Sequence, residues 1–150
     1  MGLMTLATNR KLEKEGIPVE FTPNADGTIP TLFVARTFRE SAIYRKVFER
    51  ISKPYKDELD AQSISEDDDL FIMTSVFAEV SVKGWKNVRL ADGFGGIGKG
   101  DNGPDTDIEY TDENVGACLR ALPDMFAQLA AISVDADKYR DGVLAGMAKN

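Results

Sequence analysis

The apolar pattern of this chain changes period between residues 35 and 41, and that change limits the fold more than any motif does. Before it, Val19-Glu20-Phe21 and part of Thr28 to Ala35 alternate apolar with polar, the period of a strand buried on one face. Asn24-Ala25-Asp26-Gly27 lies between them. Asn24 can open a turn and Gly27 can take positive φ, so the two runs are predicted to pair as a β-hairpin. Pro23 and Pro30 have no backbone donor, which puts at least one of these strands at a sheet edge. From Ser41 onward the spacing is helical. Tyr44, Val47, Phe48, Ile51 and Tyr55 recur on one face, with Arg45, Lys46, Glu49 and Arg50 on the other.

Local signals divide the rest. Pro54 should end or kink the first helix near Lys53, with a further turn over Tyr55 to Ala61. Ser65 is suited to cap a second helix whose first turn, Glu66-Asp67-Asp68-Asp69, faces the positive end of its dipole. That helix should carry Leu70, Phe71, Thr74, Phe77, Ala78 and Ser81 inward and stop at Gly84. Trp85 to Leu90 suits a short strand, and Ile108 and Tyr110 suit a partner for it near Val88. The stretch 92–107 between them is rich in Gly and Asp and reads as a loop. Thr111 should cap a helix to about Leu122, Pro123 should open another, and 135–147 should form a last one. The expected class is α+β and mainly α. An N-terminal hairpin is followed by four to five packed amphipathic helices, with a short strand pair around the Gly-rich loop. One domain over 1–150 is expected, with 1–10 and 148–150 flexible.

Composition removes several functions. The net charge of −7 opposes unspecific nucleic-acid binding, which depends on Lys and Arg neutralising phosphates, and opposes anionic membrane surfaces. No apolar run reaches membrane-spanning length. The chain has no His, so neither a Ser/His/Asp nor a Cys/His arrangement can be built from it alone. Cys118 is the only cysteine; it suits a reducing, cytosolic compartment and reads as a buried thiol rather than a nucleophile.

Three constellations invite chemistry and fall short. Gly93 to Lys99 has the spacing of a phosphate-binding loop, but Gly100 stands where a hydroxyl should hold Mg²⁺, and Asp101 and Asp105 follow. Asp101, Asp105, Asp107 and Glu109 lack the spacing of an EF-hand loop. Arg36, Arg39, Arg45, Lys46, Arg50, Lys53 and Lys56 form a basic region that reads as a solvated helix face, or as the face that meets an acidic partner. No cofactor and no metal is expected. Trp85, Met125 and Phe126 have the residue types of core anchors and of interface hot spots alike.

The order of motifs carries a resemblance. Val82-Lys83-Gly84-Trp85-Lys86-Asn87-Val88 is followed by an Asp92-Gly93 turn, then by Ile108-Glu109-Tyr110-Thr111-Asp112-Glu113-Asn114, then by Leu122-Pro123-Asp124-Met125-Phe126 and an Ala-rich helix. From about Ala78 to Tyr139 this resembles the tail assembly chaperones of long-tailed bacteriophages. The resemblance implies a small, mostly helical, non-enzymatic protein of the host bacterial cytoplasm. It would bind the tape measure protein, pass it to the tail tube protein, and leave before the virion is complete. It also implies a partner-binding face, for which Trp85, Tyr110, Leu122, Met125 and Phe126 are the candidates, and it allows a homo-oligomer. One departure from the family pattern is the long link Phe94 to Thr106. The closing Ala148-Lys149-Asn150 is compatible with a frameshift slip site of the kind such genes often carry. The alternative in the same class of particle is a structural virion subunit of the tail or head-tail junction; the third is an enzyme using the glycine loop.

Overall fold

The computed structural model describes residues 6–89 and 107–140. The expected hairpin is present. Strand β1 (Ile17–Glu20) pairs antiparallel with β2 (Thr31–Val34) in the register Ile17 to Val34 and Glu20 to Thr31. Its turn closes as the side-chain types require: the Gly27 N–H donates to the Asn24 carbonyl at 2.9 Å, with Gly27 at φ +87°. A third strand, β3 (Val82–Lys86), joins β2 on its other side, giving the antiparallel order β1-β2-β3. β1 is therefore an edge, which accommodates Pro18 within it, while Pro23 and Pro30 fall outside the two strands.

Six α-helices accompany the sheet among the described residues. Helix α1 (Arg10–Glu15), not anticipated from the sequence, is capped by Asn9, whose side chain accepts from the Leu12 N–H. It stops at Gly16, at φ +96°. Helix α2 (Ala42–Ser52) starts at its Ser41 cap and ends where Pro54 forces a 3₁₀ turn, Lys53–Tyr55, after which α3 runs over Lys56–Asp60. Helix α4 (Glu66–Val80) carries the Ser65 cap and the four-acid first turn. Helices α5 (Asp112–Ala121) and α6 (Pro123–Ser133) begin at Thr111 and Pro123 as predicted, and their axes turn by 114° between them. Where the last helix is expected to begin there is only a 3₁₀ turn, Ala136–Tyr139, which ends at an extended Arg140; residues 141–147 of that expected helix lie outside the described residues. No single helix among the described residues is long and apolar enough to cross a membrane.

Helix α4 is the spine, packing against α2 on one side and α5 on the other. Its inward face holds Ile72, Thr74, Val76, Phe77 and Ala78. One core joins Val19, Leu32 and Val34 of the sheet to Phe77, Val115, Leu119 and Leu129 of the helices. Full burial of each such side chain is worth about 1.5–3 kcal/mol, so this shared interior fixes how sheet and helices meet.

Two expectations need correction. Gly84 does not end α4. The helix stops at Val80 with Ser81 as its cap, and Gly84 sits within β3 opposite Phe33. The strand thus begins at Val82, three residues ahead of the expected Trp85, because Ser81 is itself tied into the fold: its carbonyl accepts from the Ala35 N–H at 2.7 Å. Phe71, expected inward, is 40% exposed. Ile72 takes the inward place, and Phe71 instead lies under the Arg120 guanidinium, 4.9 Å from its ring centre. The bridge between Arg89 and Asp107, with the Ile108 N–H donating to the Val88 carbonyl at 2.7 Å, is the short strand pair expected around the loop.

Candidate functional site

Trp85 and Tyr110 come together. Their rings meet edge to face at 6.1 Å between centres, the arrangement aromatic quadrupoles favour. Trp85 Nε1 donates to the Ile108 carbonyl at 2.9 Å, and the Tyr110 hydroxyl donates to the Val82 carbonyl at 2.7 Å. Each ring thus uses its polar atom on the backbone of the other's segment, clasping residues 108–110 across β3. Burial, with a smaller contribution from the Asp112 charge, raises the pKa of Tyr110, so its hydroxyl stays a donor.

The remaining candidates separate. Phe126 meets Phe77 edge to face at 5.4 Å and lines a hollow of about 30 Å³ between α2, α4 and α6. Met125 is half-buried against the same core, and Leu122, at the α5–α6 corner, is 38% exposed. Trp85, Tyr110, Met125 and Phe126 all pack on the core cluster, so what they share is the interior, with Leu122 the member that faces out. Cys118 is buried in α5, and burial pushes its thiol up to about 11, far from thiolate reactivity near neutrality.

An open groove of about 390 Å³ lies elsewhere, on the side formed by α1, the β2–α2 link and the junction of α4 with β3. Its apolar lining includes Phe38, Ile43 and Val80, of which Phe38 is 49% and Ile43 70% exposed. Four cations, Arg10, Lys14, Arg36 and Lys83, border it against one carboxylate, Glu13. Arg36 is engaged: Nη1 donates to Glu13 Oε2 at 2.5 Å and the guanidinium lies 4.8 Å from the Phe38 ring centre. Glu13 also accepts from the Thr8 hydroxyl at 2.8 Å. Arg10, Lys14 and Lys83 make no ion pair among the described residues.

The groove wall is held firmly. The Arg36 N–H donates to the Glu13 carbonyl at 2.9 Å, and the Asn9 N–H to the Tyr139 carbonyl at 2.7 Å. Tyr139 is fully buried and its hydroxyl donates to the Val34 carbonyl at 2.9 Å. The neighbouring basic face of α2 is solvated, with Arg45, Lys46 and Lys53 exposed and Arg50 paired to Glu79. Among the chemistry-bearing loop residues, Gly93 to Gly100, Asp101 and Asp105 lie outside the described residues. Asp107 is engaged with Arg89 at 2.8 Å, and Arg89 also holds Asp26 at 2.7 Å.

The YdaY prophage protein family matches residues 39–150. The chain belongs to the YdaY prophage protein family. It is thus a phage-derived protein, as the motif order between Ala78 and Tyr139 suggests. No curated protein and no solved structure matches it. The YdaY match takes in all five candidates, Trp85, Tyr110, Leu122, Met125 and Phe126, and the groove residues Ser41, Ile43, Val80 and Lys83. The α1 wall of the groove precedes the matched residues. That wall is also what the sequence reading missed. Asn9 before a charged hexapeptide and Gly16 after it were the cap and stop signals that could have revealed it.

Proposed function

We propose that this YdaY-family protein is a non-enzymatic tail assembly chaperone. It binds the phage tape measure protein in the host bacterial cytoplasm, promotes assembly of the tail tube, and is absent from the finished particle. The observation that carries the reading is membership of a prophage family by a chain whose motif order resembles that of tail chaperones. A secondary support is that its exposed large apolar side chains, such as Phe38 and Ile43, lie beside cations on a firmly packed frame. Long helical partners expose an apolar stripe, and a groove with apolar anchors is one means of shielding it. Reversible shielding is better served by modest affinity repeated along a polymer than by a single tight contact.

Deletion of the gene from an inducible prophage tests this directly. The expected result is normal heads without tails, restored by supplying the chain in trans, and no copies of it in purified virions by mass spectrometry. Normal particles after deletion would overturn the reading. Abundant copies in virions would replace it with a structural subunit of the tail or head-tail junction.

A further inference from the structure

From the α1–α2 groove, we infer that this face docks an acidic amphipathic segment of another protein chain, with apolar side chains seated on Phe38, Ile43 and Val80 and carboxylates reaching Arg10, Lys14 and Lys83. The inference rests on the proposed partner-binding role and names where the partner binds and with what chemistry. Three features combine to argue it. The hollow, at about 390 Å³, has the size of sites that enclose a few anchoring groups. Two of its apolar side chains, Phe38 and Ile43, are about half or more exposed, which a small polar ion would leave unused.

The third feature is charge. Around the groove four cations face one carboxylate, and that carboxylate is already held by Arg36 and Thr8. This local excess stands against a net charge of −7 for the whole chain, so it selects for a negative occupant at the groove. A nucleic acid would satisfy the cations but would leave Phe38 and Ile43 without apolar partners. An amphipathic helix satisfies both features, because residues three and four apart lie on one face and can alternate apolar and acidic groups there.

The groove also leaves the partner little to reorganise. Arg36 is fixed by Glu13 and Phe38, and α1 is anchored through Asn9 to the backbone of Tyr139. A pre-formed face keeps the ordering cost on the incoming segment.

The test uses the full chain and a fluorescein-labelled helical peptide bearing Leu at helical spacing flanked by Glu, read by fluorescence anisotropy. A second peptide has every Glu replaced by Lys. Saturable binding of the acidic peptide, weakened by salt and absent for the basic one, is the expected result. Arg10→Glu with Lys83→Glu should weaken the acidic peptide by about tenfold or more and confer binding of the basic peptide. Ile43→Ser, on a different element, should weaken binding with the charges intact. Circular dichroism melts of each variant check folding.

Equal binding of both peptides, no binding of either, or indifference to both sets of substitutions would overturn the proposal. So would tighter binding of a single-stranded oligonucleotide or self-association of the chain that the same substitutions abolish. The two readings fail separately. A prophage carrying the double charge reversal that still builds tails removes the groove but leaves the chaperone role; acidic-peptide binding in a chain whose deletion leaves tails intact does the reverse.

Discussion

The Trp85–Tyr110 clasp and the α1–α2 groove are built from similar residue types and end in opposite states. At the clasp both polar ring atoms are satisfied by backbone carbonyls and both rings rest on the core. At the groove Phe38 and Ile43 face outward, and three cations have no ion-pair partner among the described residues. The difference teaches that an aromatic or a large aliphatic side chain is no sign of an interface by itself. What distinguishes the two is whether the polar and charged groups beside the apolar ones are already answered within the chain. On that criterion the clasp holds the fold together and the groove is the side with bonding capacity to spare.

The largest effect expected tests whether the groove wall is as fixed as its hydrogen bonds suggest. Gly16 sits at φ +96°, and a Cβ there would lie 2.9 Å from the Val34 backbone nitrogen. Both the strained conformation and the backbone clash oppose Gly16→Ala, which should lose roughly 3–4 kcal/mol in denaturant unfolding. An unchanged midpoint would mean that α1 is free to shift and that the groove is not pre-formed. Trp85→Ala comes next, at about 3 kcal/mol, since it removes a large half-buried ring and the donor to the Ile108 carbonyl. If Trp85→Ala instead left stability intact and abolished partner binding, the assignment of clasp and groove would be reversed.

Alkaline pH tests the buried interior behind both regions. Burial raises the Cys118 thiol from 9.0 to about 11 and raises the Tyr139 phenol as well. The folded state therefore keeps protons that the unfolded state releases. The stability Cys118 contributes is complete below pH 9 and declines as pH rises from there through about 11, while that of Tyr139 declines only above pH 10. For Cys118 the loss is on the order of 2 kcal/mol. Urea titrations across this range should show it, and Cys118→Ala should remove its share of the slope. Tyr110→Phe is expected to cost less, about 1 kcal/mol, because only one hydrogen bond is lost, leaving the Val82 carbonyl without its donor.

Much of the fold was legible because local chemistry and tertiary packing agree. Ser41, Ser65 and Thr111 cap the helices that follow them, the side-chain oxygen of each accepting a hydrogen bond from a backbone N–H three residues on. Pro54 and Pro123 break or open helices where the missing donor requires it. Gly84 was misread because a glycine after a helix usually ends it, whereas here Ser81 has already been captured by Ala35 and Thr37 from the β2 side. Phe71 was misread because it neighbours Ile72 at the border of the inward face; Ile72 is the one buried, and Phe71 lies against Arg120 of α5, a contact that no local pattern announces. The groove was least legible. Its walls come from residues as far apart as Arg10 and Lys83, and α1 is too short to leave a periodic pattern. The basic region was visible, with the alternative of an acidic partner, but of its cations only Arg36 lines the groove; Arg10, Lys14 and Lys83 lie outside that region and reach the groove through the tertiary fold.

The smallest stability effect sharpens the comparison most. Phe38→Ser should change the unfolding free energy by no more than about 0.5 kcal/mol. The ring is 49% exposed, so part of its area is in water already, and its main defined contact is the Arg36 guanidinium at 4.8 Å. Arg36 keeps its ion pair with Glu13 when the ring is gone, so no charge is left stranded. The same substitution should nonetheless weaken the acidic peptide severalfold, because the seat for an incoming apolar side chain is removed. A variant that melts at the wild-type temperature and has lost its ligand would place Phe38 on a binding face. One that melts much lower with affinity preserved would show the ring to be a structural cover for Arg36 and Glu13, and the groove to be closed over like the clasp.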